Sequence, residues 1–324
     1  MDIANAFMDS GTLFTASDAG VFAKLAELES ATAAEMAQHL QLNPRATGLL
    51  LNACVAAGLL TKHEEKFRNT PDAQIFLVPG RPGDLSRALR YNRDVLPAWQ
   101  NASQFIRSGM PVERPELHLG EDQDRTRTFV LSMHHRALAI GRAVVPMLDL
   151  QGRKSLLDVG GGPGTYAVLF AKANPGLTAT VLDLPGVAAI ASELIRDQDA
   201  SAAVRTLAGD YRTREFPAGA DVIHFFGMLH QESPESILNL FRRAFDCLPS
   251  GGLVHVMDMM TDHTRAAPKY SAMFALNMAL TTQSGWVFSD EDLTKWFGEC
   301  GFVDVTVQPL PPPMPHWLAT ARKP

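Results

Sequence analysis

Cysteine is scarce in this chain: Cys54, Cys247 and Cys300 are the only ones in 324 residues. They are too few and too far apart for a disulfide framework or a zinc site, so a reduced, cytoplasmic setting is expected. Long apolar runs are missing too. Nowhere do about 18 apolar residues follow one another, and no basic segment leads into an apolar one at the N-terminus, which disfavours membrane spanning and secretion. Excess positive charge is also absent. With 29 Lys and Arg against 35 Asp and Glu, the formal net charge is −6, and extended contact with a phosphate backbone, which relies on clustered cations, is disfavoured. No internal repeat is found, and low complexity is confined to the proline run at 311–315. What remains is an ordinary composition, 46% hydrophobic, in a chain long for one domain and comfortable for two.

Residues 1–85 alternate short helical patterns with turn signals. A helix is expected near Asp18 to Leu28 and another over Thr32 to His39, where Thr32 and Glu35 have the spacing of a capping box. Asn43-Pro44 can cap the next helix, which runs to Gly58. Leu59 to Thr61 and Lys66 to Thr70 then make a small hairpin, and the whole reads as winged-helix-like. Its recognition-helix equivalent, Arg45 to Ala57, carries one Arg and many apolar residues. That suits burial against a second subunit better than a major groove. Residues 86–150 read as a helical connector punctuated by Pro97, Pro111, Pro115 and Pro146. From 151 to 324 strand and helix patterns alternate, as in a parallel sheet covered on both faces. Asp221–Phe226 and Leu253–Asp258 read as the fourth and fifth strands of this region, and Phe302–Gln308 with His316–Ala321 as a closing antiparallel hairpin.

The chemistry concentrates at the start of that third region. Leu156 to Gly164, Leu-Leu-Asp-Val-Gly-Gly-Gly-Pro-Gly, reads as strand and glycine turn, with a helix from Thr165. Glycines let a backbone approach its ligand closely, and the helix N-terminus offers free N–H groups to an anion. Asp183, ending the next apolar run, can accept hydrogen bonds from ribose hydroxyls. Ala208-Gly209-Asp210-Tyr211 supplies a third signal: an acid for an adenine amino group and a ring to lie on the base. An adenosine-containing cofactor is therefore expected. The spacing Gly160-x-Gly162-x-Gly164 differs from the dinucleotide pattern, and Asp158 is placed to orient the loop or a ligand ammonium. The turn looks shaped for an amino acid rather than a pyrophosphate.

These motifs resemble the S-adenosylmethionine-dependent O-methyltransferases of the plant caffeate and animal hydroxyindole type, with bacterial small-molecule members, over nearly the whole chain. The resemblance includes Leu229-His230 after the fourth strand and Gly301-Phe302 before the final hairpin. It implies an α/β fold with a Rossmann-like class I methyltransferase domain, a seven-stranded sheet ending in an antiparallel hairpin, behind an α-helical winged-helix-like dimerisation domain. It implies a homodimer, S-adenosylmethionine with S-adenosylhomocysteine as product, no metal, and no nucleic acid or membrane partner. Asp158, Gly160, Gly162 and Gly164 would hold the methionine part; Asp183 and Leu184 the ribose; Gly209, Asp210 and Tyr211 the adenine. Phe226 borders the cofactor region where plant members carry a lysine. His230 would be the general base and Asp258 its supporting acid. The acceptor pocket would draw on Phe129, Met133, His134, Met228, Met273, Phe274, Asn277 and Met278, with Arg136 able to meet a carboxylate or hydroxyl.

Two departures from the family pattern bear on the base. Many members carry Asp-Trp after the histidine, where this chain has Gln231-Glu232, and a Glu-Arg-Thr segment where it has Val287-Phe288-Ser289. They leave open transfer to sulfur, nitrogen or carbon, which needs no phenol deprotonation, and a non-methylating member of the fold. A winged-helix regulator using the sheet domain as a cofactor sensor is a further alternative, which predicts a basic recognition helix that the chain lacks.

Overall fold

The structure is a computed structural model that describes residues 2–81, 83–113, 122–312 and 314–324. Two compact units result, residues 1–94 and 95–324. The division falls after the helix Ser86–Asp94 rather than at residue 85. The rest of the expected connector is part of the second unit.

In the first unit, α1 (Asp2–Asp18) is separated from α2 (Val21–Leu28) by Gly20, whose φ of 75° is a conformation that side chains resist. One helix was expected near this point; the glycine makes two. β1 (Ala31–Thr32) leads into α3 (Ala33–Leu40), whose Thr32–Glu35 capping box is formed in both directions. Asn43 caps α4 (Pro44–Ala56) by accepting from the Ala46 amide at 3.0 Å. β2 (Leu60–His63) and β3 (Lys66–Asn69) form the expected hairpin, to which β1 adds as a third strand in the order β1-β3-β2. α5 (Pro71–Phe76) and α6 (Ser86–Asp94) follow. Leu51 and Cys54 are fully buried in the unit's own core, with Leu50 and Val55 packed against it. Part of the apolar face of residues 45–57 is therefore internal to the unit, and Leu49 on the same helix is left 59% exposed. Exposed apolar side chains remain at Ile3, Phe7, Met8 and Leu49.

The second unit opens with α7 (Leu96–Gln100), α8 (Ala102–Ser108) and the long α9 (Gln123–Val144); Pro115 lies outside the described residues. Strands and helices then alternate: β4 (Ser155–Val159), α10 (Thr165–Ala173), β5 (Thr178–Asp183), α11 (Pro185–Asp197) and β6 (Val204–Ala208). After these come β7 (Val222–Phe226), α12 (Pro234–Cys247), β8 (Leu253–Asp258), α13 (Lys269–Thr281), α14 (Asp290–Glu299), β9 (Val303–Pro309) and β10 (Trp317–Arg322). The sheet has seven strands in the order β6-β5-β4-β7-β8-β10-β9. β4 to β8 are parallel, and β10 runs antiparallel to both β8 and β9. This is the expected fold class.

Each face of the sheet buries its own core. Leu157, Ile223, Phe225 and Val256 pack under α12 and α14, where Phe241 stacks on Phe297 at 4.6 Å. Leu156, Val222, Phe226 and Met257 pack under α9 and α10. The chain reverses its winding between β4 and β7, so the crevice past their C-terminal ends is the topological switch point where such sheets take ligands. Among the described residues, no helix is long and apolar enough to cross a membrane.

Candidate active site

The glycine turn sits at that crevice. Gly160, Gly162 and Gly164 have φ of 63°, 54° and 71°, the left-handed region that side chains resist. Gly161 is needed for a different reason: a Cβ there would lie 2.6 Å from Asp158 Oδ2 and 2.9 Å from Val181. Asp158 is fully buried directly beneath the turn, and neither carboxyl oxygen has a hydrogen-bond partner. Burial, reinforced by the negative charge of Asp183, pushes its pKa up to about 7. Such a group is incomplete without a cationic or hydrogen-bonding ligand nearby.

Asp183, at the end of β5, binds the turn itself. Its Oδ2 accepts from the Gly162 amide at 2.8 Å and its Oδ1 from the Leu184 amide at 2.7 Å. Burial raises its pKa to about 6 despite these bonds. Asp210, past β6, is held by Arg212: the guanidinium donates to both oxygens, at 3.0 and 2.8 Å, and lies two residues away. The adenine acid of the sequence reading thus has an internal cation on it. Tyr211 turns its ring toward Gly160, where a Cβ would meet Tyr211 Cε1 at 3.4 Å. Its hydroxyl donates to Glu232 Oε1 at 2.7 Å. The Phe226 ring lies in the core under α10, stacked on His224 at 4.3 Å and edge-on to Tyr166 at 5.3 Å.

His230 stands on a 3₁₀ turn just past β7. Its Nδ1 meets Asp258 Oδ1 at 2.7 Å, and its backbone N–H donates to Asp258 Oδ2 at 3.2 Å. Asp258 is 1% exposed and also accepts from the Met259 amide at 2.7 Å. Against a carboxylate that only accepts, Nδ1 is the donor, and in that tautomer the lone pair lies on Nε2. Phe274 closes edge-on against the imidazole at 5.1 Å. Trp286 braces the turn twice: its amide donates to the His230 carbonyl and its indole to the Glu232 carbonyl, each at 2.9 Å.

The residues expected to line an acceptor pocket are distributed more widely than the sequence suggests. Met228 is buried against Gly160, and Phe274 meets the imidazole. His134 instead braces the start of α10, its Nδ1 2.7 Å from Thr165 Oγ1. Asn277 accepts from the Trp99 indole at 2.7 Å, and Met278 is buried. Phe129 and Met273 are exposed, and Met133 is half-buried. Three groups here escape a linear reading. Glu232 is a buried acid between the Tyr211 and Ser236 hydroxyls. Trp286 comes from the loop before α14. His316, 8% exposed, precedes β10, where Trp317 pairs with Asp258. Among the described residues, no group of three or more His, Cys, Asp and Glu side chains is placed to hold a metal ion.

Similarity to known proteins identifies the family. The O-methyltransferase domain matches residues 108–303, and the O-methyltransferase dimerisation domain matches residues 1–79. The 3-hydroxy-5-methyl-1-naphthoate 3-O-methyltransferase of Streptomyces sahachiroi is 30% identical, over 94% of this chain and 89% of its own. The N,N-dimethyltransferase OxyT of Streptomyces rimosus is 28% identical, over 100% of this chain and 96% of its own. The crystal structure of human N-acetylserotonin methyltransferase in complex with S-adenosylmethionine superposes with a TM-score of 0.89 at 25% identity, covering 99% of this chain and 96% of that one. The chain belongs to the O-methyltransferase family, as an S-adenosylmethionine-dependent enzyme with an N-terminal dimerisation domain.

Proposed function

We propose that the enzyme methylates a hydroxyl group on a small, flat aromatic metabolite, with His230 as general base and Asp258 orienting it. The observation that carries this reading is the 2.7 Å contact between His230 Nδ1 and Asp258 Oδ1, across the switch point from the glycine turn. A phenol near pKa 10 is mostly protonated at neutral pH, so a positioned imidazole lone pair at Nε2 assists its attack by taking the proton. Asp258 stabilises the imidazolium that results.

The residues around the turn fit the cofactor. Two orphaned oxygens on Asp158 suit an ammonium, and the left-handed glycines leave its approach unobstructed. The N-terminus of α10 suits a carboxylate. Asp183, with Leu184 beside it, would take the ribose hydroxyls, and Gly209, Asp210 and Tyr211 would border the adenine. When bound, S-adenosylmethionine supplies an electrophilic methyl group on a sulfonium. The chain's own work is to hold the acceptor in line and remove its proton. Met228 and Phe274 would bear on a flat acceptor. In this reading the N-terminal unit makes a homodimer through Ile3, Phe7, Met8 and Leu49.

The test is His230→Ala, assayed by S-adenosylhomocysteine release from a panel of hydroxyarenes that includes hydroxynaphthoates. Turnover should fall by about a hundredfold or more, with calorimetric affinity for S-adenosylhomocysteine nearly intact. Near wild-type turnover would refute the base role. The similarity to an N,N-dimethyltransferase then makes an already nucleophilic acceptor atom the better reading.

A further inference from the structure

Two polar side chains, His316 and Arg136, have no hydrogen bond or ion pair with any described residue. His316 lies one residue before Trp317, whose Cα pairs with that of Asp258, so it stands just past the acid at the same edge of the sheet. It is 8% exposed, its Nδ1 is sealed from solvent, and its ring makes no hydrogen bond with any described residue. The charges of Arg136, Asp258 and His230 act on that ring. Burial keeps the ring neutral at physiological pH, with its pKa down to about 4, so it has one N–H to donate.

Arg136 comes from α9, the helix that also sends His134 to Thr165 and packs Gly141 against Tyr166 and Leu169. Its helix neighbours Arg125 and Arg127 are paired with Glu113 and Glu193. Arg136 is half-buried and has no counter-ion among the described residues. A half-buried guanidinium without an anion, whose charge reaches a buried imidazole without a hydrogen bond, leaves room among the described residues for an anionic ligand.

We propose that Arg136 and His316 together bind a carboxylate on the acceptor, which makes the preferred substrates hydroxyarene carboxylates. This rests on the reading of the enzyme as a hydroxyarene methyltransferase. The planar guanidinium matches a carboxylate through paired N–H donors, and the His316 N–H adds another. The carboxylate is held away from Asp258 while the hydroxyl faces His230, so the pair acts by positioning and takes no proton. The cofactor also carries a carboxylate, and the experiment must separate the two.

The probes are 3-hydroxy-1-naphthoate and 2-naphthol, the same ring and hydroxyl without the acid, assayed with wild type, Arg136→Met, Arg136→Lys and His316→Phe. Wild type should prefer the acid by about tenfold or more in kcat/KM. Arg136→Met and His316→Phe should raise KM for the acid by at least about tenfold with kcat little changed, abolish the preference for the acid over 2-naphthol, leave S-adenosylhomocysteine affinity unaltered, and Arg136→Lys should recover part of the loss. Equal wild-type rates on both arenes, an equal loss on both in the variants, or weakened S-adenosylhomocysteine binding in Arg136→Met would overturn the proposal, the last assigning the arginine to the cofactor. If neither arene is methylated, the hydroxyarene reading fails, and binding of the two arenes to the S-adenosylhomocysteine complex decides the anchor separately. Tighter binding of the acid by wild type but not by Arg136→Met supports it, and equal binding sinks it.

Discussion

Asp258→Asn preserves the shape of the acid and removes its charge, so it probes the link between Asp258 and His230 with little steric change. All three partners of the carboxylate are donors: His230 Nδ1 and the Met259 amide on Oδ1, and the His230 amide on Oδ2. An amide cannot satisfy this set. With its oxygen at the Oδ1 position, the new NH2 faces the His230 amide; turned over, it faces His230 Nδ1 and the Met259 amide. The second orientation forces the proton to Nε2, which leaves no lone pair for the acceptor. The first keeps the useful tautomer but gives up the negative charge beside a forming imidazolium. A hydrogen bond to a charged group is worth about 1.5–3 kcal/mol, which corresponds to a fall in kcat of about 10- to 150-fold. One buried donor left unsatisfied should cost about 1–3 kcal/mol of stability as well. The loss should stay below that of His230→Ala, because the imidazole is still present. Turnover at saturating cofactor and acceptor, with thermal unfolding as a control, reads both effects. A folded Asp258→Asn enzyme within about twofold of wild-type kcat, a difference of about 0.4 kcal/mol, would show that proton removal does not limit the reaction.

Asp183→Ala should weaken S-adenosylhomocysteine binding by roughly 1.5–3 kcal/mol in calorimetry, and wild-type affinity should itself decline as the pH drops below about 6, where Asp183 takes a proton; pH-independent binding would count against a ribose contact. His224 and His255, buried side by side at 3.1 Å, have pKa values driven down by burial, to about 3 for His255. The unfolded chain therefore binds protons more readily, and stability present above about pH 6.5 should be lost toward pH 3 by up to about 1.4 kcal/mol per pH unit per histidine. Urea unfolding should find this acid limb flattened in a His224→Leu/His255→Leu enzyme; an unchanged limb would refute the assignment. Ile3→Glu with Phe7→Glu places charge on side chains 90% and 64% exposed in the isolated chain and should give monomers in light scattering, whereas a persistent dimer would locate the interface elsewhere.

How much of this was legible in the sequence depends on the range over which each feature is determined. The glycine turn, Asp183 and the Thr32–Glu35 capping box are local, each set by residues close together in the chain, and the sequence carries them. The His230–Asp258 contact spans two adjacent parallel strands, and only the family resemblance placed it. His316 was illegible because β10 inserts between β8 and β9, so its nearness to Asp258 depends on a non-local pairing. Phe226 was misread for a related reason. Phe225 and Phe226 are equally apolar, and which of them faces α10 is decided by strand parity against the helical layer. The apolar stripe of α4 likewise says that something covers it, not whether that cover is the same unit or a second one. β1, only two residues long, is too short to produce an alternating pattern at all.

The departure at Gln231-Glu232 takes on a different meaning once the partners of Glu232 are known. An acid after the histidine suggests itself as a second support for the base, yet Glu232 points elsewhere. It accepts from the Tyr211 hydroxyl and from Ser236, and its backbone carbonyl accepts from the Trp286 indole. Tyr211 follows β6 and lies against Gly160, and the Trp286 amide holds the His230 carbonyl. Through its carboxylate and its backbone carbonyl, this one buried residue therefore links the loop expected to border the adenine, the turn that carries His230 and the segment before α14. Buried polar groups bonded in this way hold their elements in one arrangement. Glu232 thus fixes the position of His230 relative to the glycine-turn side of the crevice, and in the proposed mechanism the chemical support of the imidazole comes from Asp258.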